Sequence, residues 1–314
     1  MRPSFRNRVQ FLKQNIFEAD DPALAEPPPI QNIIYRTDEE EKKWIERSTE
    51  MIGDFRSVFR SVYMRWAITI NSLFVARDRY QSHSNLGLRV DTVRASAKGP
   101  ERVELARWHG QEAARNYEAC IPLMGGYGVQ DMYGALEEVV FELYEVYLDA
   151  NPQDLMKGDD FKPLRKLYRD RETSPEAAAS YLAAWSERLE GWRRKRAYDG
   201  LHKVFAAYFK KAGLKRPSWY TQSDIGSWAK AIETVGLIRH HVTHGEDLVS
   251  EELGRLCAEQ PQLGLDLKAG EQLVVYTEHI MLVEAFFDQL LTAINISLLE
   301  KGLGKPMPKP EPEP

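Results

Sequence analysis

The chain predicts an all-α fold, and three observations carry that expectation. Apolar residues recur at helical spacing over several long stretches, glycine and proline fall where those stripes stop, and only residues 262–276 alternate in the manner of paired strands. With 314 residues, there is enough chain to bury a core as one large or two modest domains.

Residues 1–36 contain Asp21-Pro22 and Pro27-Pro28-Pro29 and read as an arm laid over the surface or a partly disordered lead-in. Thr37 with Glu40 three positions on has the form of a capping box. A helical stripe follows through Trp44, Ile45, Met51, Ile52, Phe55, Phe59, Val62, Tyr63, Trp66, Ile70 and Phe74, with a bend near Gly53. After a break at 82–88, Pro100 and Glu101 open a second helix to about Cys120, which completes an N-terminal helical region over 37–122.

A larger helical domain is expected over 123–302. Gly125-Gly126-Tyr127-Gly128 reads as a turn, and a strongly apolar helix runs from Val129 to Ala150, where Asn151-Pro152 stops it. A basic connection, Lys162 to Arg171, leads to a long helix from Thr173-Ser174-Pro175 to Lys211, ended by Gly213. The next helix, Ser223 to Ile238, puts Ile225, Trp228, Ile232, Val235 and Ile238 on one face. In 262–276 the alternating Leu263, Leu265 and Leu267, a turn at Gly270 and the run Leu273 to Tyr276 suggest a small β-hairpin insertion. The last helix, Thr277–Lys301, is the most apolar, and 303–314 alternates proline with charge, as disordered tails do.

A net charge of -5 excludes a generally basic nucleic-acid coat but leaves room for a local basic groove. Two cysteines make no disulfide framework, so a reducing cytoplasm is the expected location. The apolar run at Trp66–Ala76 is too short to span a bilayer and residues 1–20 carry no secretory apolar segment, so no membrane partner is expected.

Three of the seven histidines fall in Arg239-His240-His241-Val242-Thr243-His244, followed by Gly245, a natural helix stop. Arginine, a polar residue, three variable residues and histidine at the end of an amphipathic helix resembles the motif of HEPN-domain ribonucleases. Arg239 and His244 match the two defining positions. His240 fills the polar one, where that family more often has asparagine. The resemblance covers residues 125–302, and Phe141 to Tyr147 is similar to the family's first helix. It implies a HEPN-like four-helix bundle and a metal-independent endoribonuclease without a cofactor. It also implies RNA as substrate and a homodimer whose two motifs share one active site. A toxin or anti-phage defence effector is the implied role, with an antitoxin or another defence-system protein as further partner. Glu246 stands where some small HEPN toxins carry a tyrosine that a partner enzyme modifies, which argues against that form of control.

RNA supplies its own nucleophile, the ribose 2'-hydroxyl. Cleavage needs a group to take its proton, donors for the crowded phosphorus and a proton for the leaving oxygen. Histidine suits both proton tasks and arginine offers a planar fork of donors to phosphate. Five residues turn an ideal helix about 140° past a full circle, so Arg239 and His244 do not share a face. Either the last turn unwinds before Gly245, or two chains build the site. His240 and His244, four apart, do share a face, which makes His240 an orienter or phosphate donor.

Other readings of the same residues stay open. His241 or His244 alone could cap helix carbonyls. His240 and His244 also have the spacing of helical zinc ligands, although no convincing third ligand accompanies them. Between Arg188 and Arg216, ten Lys/Arg face only Glu190 and Asp199. Within that run Trp192 and Tyr198 flank Arg193, Arg194, Lys195 and Arg196. This is either an RNA-binding surface or a solvated helix face with the aromatics in the core. A catalytically silent scaffold for dimerisation or RNA binding is the alternative function.

Overall fold

The computed structural model describes residues 31–308, and these are mostly helical. In chain order the elements are α1 (Lys43–Ser82), β1 (Gly87–Ser96), β2 (Gly99–His109), α2 (Gly110–Ala150), α3 (Lys162–Asp170), α4 (Pro175–Arg196), α5 (Leu201–Ala212), α6 (Ile225–His244), α7 (Glu251–Glu259) and α8 (Thr277–Leu303). The chain divides into two compact units, each assembled from separated stretches. One takes the described residues to Phe59, then Tyr133–Leu237 and everything from Ala285. The other takes Arg60–Met132 and Ile238–Glu284.

The first unit has an aromatic core. Trp44 meets Tyr147 edge-on at 5.3 Å, Phe59 meets Phe287 at 5.5 Å, and Tyr144 sits between Trp192 at 4.8 Å and Tyr208 at 5.5 Å. Arg56 forks onto Asp288 through two hydrogen bonds of 2.7 and 2.9 Å, the planar geometry that makes arginine a good partner for a carboxylate. The end of the N-terminal arm lies in this unit. Tyr35 is buried, and its hydroxyl donates to the Gly302 carbonyl at 2.9 Å.

In the second unit α1 from Arg60 and α2 to Met132 run antiparallel. Trp66 Nε1 donates to Asp131 at 3.1 Å, Arg77 pairs with Glu118 at 2.7 Å, and Tyr80 stacks on Tyr117 at 5.5 Å. Between them β1 and β2 form a two-stranded antiparallel hairpin with a bulge after Val90. Its turn closes through Gly99, whose φ of 110° favours glycine. One face holds a charged lattice: Arg89 to Asp91 at 2.6 Å, Arg102 to Asp91 at 2.6 Å and Arg107 to Glu104 at 2.7 Å. These bonds hold the carboxyls of Asp91 and Glu104 below their usual range.

Several expected elements are corrected. Residues 100–109 are strand rather than helix. The hairpin is therefore here and not at 262–276. In that later stretch Leu263 is buried at the end of a short 3-10 helix (Pro261–Leu263), and Leu265 and Leu267 are buried as irregular chain. Its backbone groups instead reach back to the segment after α6, where Val249 N donates to Glu271 O at 2.9 Å and Leu273 N to Asp247 O at 2.8 Å. Gly125 to Gly128 lie inside α2 rather than in a turn, so one helix replaces the two expected on either side. Glycine is required there for close packing. A Cβ at Gly126 would meet Val242 of α6 at 3.0 Å, and one at Gly128 would meet Ile280 of α8 at 2.8 Å. The long helix expected to reach Lys211 is divided into α4 and α5, because Gly200 takes a φ of 81°. The expected boundary between residues 122 and 123 falls within α2. The arm's residues 1–30 and the tail's residues 309–314 lie outside the described residues. α8 is long and apolar enough to cross a bilayer, but most of that apolar stretch is buried in protein.

Candidate functional site

The motif occupies the last two turns of α6. Asp224 starts this helix by accepting from Ser227 N at 2.7 Å, while the Ser227 hydroxyl accepts from Asp224 N at 2.9 Å. The backbone bonds from Ser227 hold the Asp224 carboxyl below its ordinary range. Trp228, Ile232, Val235 and Ile238 are buried as their spacing predicts, while Ile225 is half-buried. The helix stays regular through His244 and closes at Gly245, where φ is 67°. Glu246 N reaches the His241 carbonyl at 3.0 Å and Gly245 N the Val242 carbonyl at 3.4 Å, the paired bonds of a Schellman stop. Unwinding before Gly245 is therefore not how Arg239 and His244 could meet.

Val242 packs against Gly126 and anchors the motif turn to α2. Around the same turn Arg239, His240 and His244 are exposed, whereas His241 is only 4% exposed. The rings of His240 and His244 lie 4.4 Å apart, tilted by 53°. The Glu246 carboxylate approaches His240 Nε2 at 3.9 Å, which gives this histidine pair an acidic neighbour.

The buried ring of His241 ties the motif to the chain that follows it. Its Nε2 lies 2.9 Å from Ser250 Oγ, and its Nδ1 lies 2.9 Å from Glu246, too far off line for a hydrogen bond. Ser250 also caps α7, accepting from Leu253 N at 3.2 Å. Ser250 donating to Nε2 leaves the ring proton on Nδ1, which faces the Glu246 carboxylate without a hydrogen bond. Ser250, His241 and Glu246 fall in the order of a nucleophile, base and acid. The ring is buried, however, and the hydroxyl is engaged as a cap, so the group serves as a clip between the motif turn and the start of α7. Ser250 before Glu251 and Glu252 carries a readable N-cap signature. Its contact with His241 has no sequence signal. Among the described residues no three His, Cys, Asp or Glu side chains converge as metal ligands.

The four cations assigned to RNA contact lie at the end of α4, in the first unit. Arg193 turns inward: its guanidinium pairs with Glu145 at 3.1 Å and Glu138 at 3.2 Å, and lies 5.0 Å from the centre of the Phe141 ring. That leaves Arg194, Lys195 and Arg196 at the surface. Arg194 pairs with Glu190 at 3.3 Å and Arg196 with Asp199 at 2.6 Å. Trp192 is buried against Phe141 and Tyr144, while Tyr198 is 89% exposed. The aromatics flanking this run are therefore split between core and solvent.

Comparison of the chain with family models, with curated proteins and with solved structures finds no match.

Proposed function

We propose that the protein is a metal-independent endoribonuclease of the HEPN type, acting as a toxin or anti-phage defence effector. The observation that carries this reading is the exposed pair His240 and His244, 4.4 Å apart and adjacent to Arg239 on the closing turns of α6. In this chemistry one histidine takes the proton from a ribose 2'-hydroxyl. The freed oxygen attacks the adjacent phosphorus, and the bond to the 5'-oxygen breaks as that oxygen receives a proton. The products carry a 2',3'-cyclic phosphate and a 5'-hydroxyl. Arg239 donates to the non-bridging oxygens as charge gathers there; one well-placed donor of this kind contributes roughly 3–4 kcal/mol. The 140° separation of Arg239 and His244 on a regular helix supports a site completed by a second chain.

The same separation favours a second reading, a catalytically silent scaffold that dimerises or binds RNA without cutting it. Incubating purified protein with total RNA, with and without EDTA, separates the two. Fragments with 2',3'-cyclic phosphate ends in both conditions, absent for His244→Ala, are the expected result. Intact RNA would leave the scaffold, and cleavage abolished by EDTA would overturn the metal-independent route.

A further inference from the structure

With Arg193 turned inward and Arg194 and Arg196 paired with carboxylates, the end of α4 offers an anion little, and a denser group of cations lies on α3. Helix α3 places Lys162, Arg165, Lys166 and Arg169 at spacings of three, four and seven residues, hence along one face. They line an open depression of about 720 Å³ together with Gln153 and Pro163, and no carboxylate joins the lining. Arg165 is held in place by the carbonyls of Met156 and Gly158, the latter at 2.7 Å, so its position is fixed before any ligand arrives. Lys162 approaches Asp159 at 3.2 Å. Lys166 and Arg169 are exposed, and neither makes an ion pair with any described residue. Two exposed cations without an ion pair and a fixed third thus face one depression and leave it positive in an acidic chain.

We infer that this depression is a docking site for the phosphate backbone of single-stranded RNA, an inference that rests on the ribonuclease reading. The four positions span about 10 Å of helix, enough for consecutive phosphates of one strand. Recognition there is independent of base identity. The nearby Tyr168 ring carries the Arg171 guanidinium on one face at 3.6 Å and packs against Tyr181 at 5.4 Å, and no aromatic side chain joins the lining of the depression. The site holds the strand and takes no part in the chemistry at α6.

The test uses the full chain and a fluorescein-labelled single-stranded oligoribonucleotide with methylated 2'-hydroxyls, which cannot supply the nucleophile and so is not cut. Replacing Lys166→Gln and Arg169→Gln together should weaken binding about tenfold, equally for different base sequences. The slope of log affinity against log salt should also fall by about 1.4, since each phosphate contact on a single strand contributes about 0.7. The pair Arg94→Gln and Lys98→Gln, exposed on the hairpin of the other unit, changes the charge equally and should leave both quantities unchanged. Wild-type binding with an unaltered slope in the α3 variant would overturn this site and leave the ribonuclease reading standing. An equal loss in the hairpin variant would show a general charge effect and overturn it too. No binding by wild type would remove the RNA reading and this inference together. Loss of binding to phosphatidylserine vesicles in the α3 variant, with RNA binding intact, would reassign the depression to lipid.

Discussion

Gly125 of α2 lies so close to the main chain of Val275 that a Cβ added at Gly125 would overlap the Val275 carbonyl oxygen. No rotamer change relieves such an overlap, because the obstacle is backbone. Gly125→Ala should therefore destabilise the protein by about 2–3 kcal/mol, as overpacking does. Gly134, exposed on the same helix with nothing within 4 Å of its added Cβ, should behave oppositely. Gly134→Ala should stabilise by up to about 1 kcal/mol, because alanine loses less backbone freedom in a helix. Urea denaturation of both variants checks the pair.

Stability should fall in mild acid through His279. Its Nδ1 accepts a hydrogen bond from Tyr276 N at 3.0 Å, which requires that nitrogen to be unprotonated. Burial holds the folded ring's pKa below its ordinary value. The unfolded chain takes up a proton near about pH 6.5, which the folded ring resists. The contribution is thus fully present above that pH and is lost as pH falls below it. His202 is lowered in the same direction by burial, against the opposing pull of Glu233. His279→Asn keeps an acceptor for Tyr276 without titrating. Thermal midpoints measured from pH 7 to about pH 5 should fall less in this variant than in wild type.

Arg193→Ala should act on stability rather than on RNA affinity. It leaves Glu138 and Glu145 without the cation that both contact and opens space beside Phe141. A loss of about 2 kcal/mol is expected. Equal RNA affinity for this variant and wild type, compared where both are folded, checks the assignment.

A shared site has its own signature. Mixing equal amounts of wild-type and His244→Ala chains should leave about a quarter of the activity rather than half, since only wild-type pairs of a symmetric dimer keep an intact site. Activity that falls in simple proportion to the wild-type fraction would show that each chain works alone.

The long apolar stripes were legible in sequence because a helix buries a face whose period it imposes. Trp228, Ile232, Val235 and Ile238 on α6, and Phe287, Leu290, Leu291 and Ile294 on α8, are buried as that period requires. Gly213 and Gly245 close helices at the positions their local chemistry indicates. What escaped the sequence depends on partners distant in the chain. Glycines at 125–128 look like a turn locally, and only Val275, Val242 and Ile280 reveal them as contact points. Arg193 looks like a surface cation until Glu138 and Glu145 of α2 meet it. The alternating leucines of 263–267 satisfy burial without pairing, while the charged hairpin of β1 and β2 hides its alternation behind a bulge. At the candidate site, the motif's place at a helix end was readable, but the clip from His241 to Ser250 was not.

The interleaving of the two units bears on when the protein can begin to work. Synthesis delivers the chain from its N-terminus, yet the unit holding Arg239 and His244 draws on residues from Arg60 to Glu284. The other unit closes only when the part of α8 beyond Ala285 is available. A nascent chain that has just exposed the histidines lacks the start of α8, whose Ile280 packs on Gly128, and the Glu271 and Leu273 backbone groups that secure the segment after α6. Synthesis through at least Glu284 therefore precedes assembly of the motif's surroundings, and a chain released short of that point presents Arg239 and His244 without the packing that holds them.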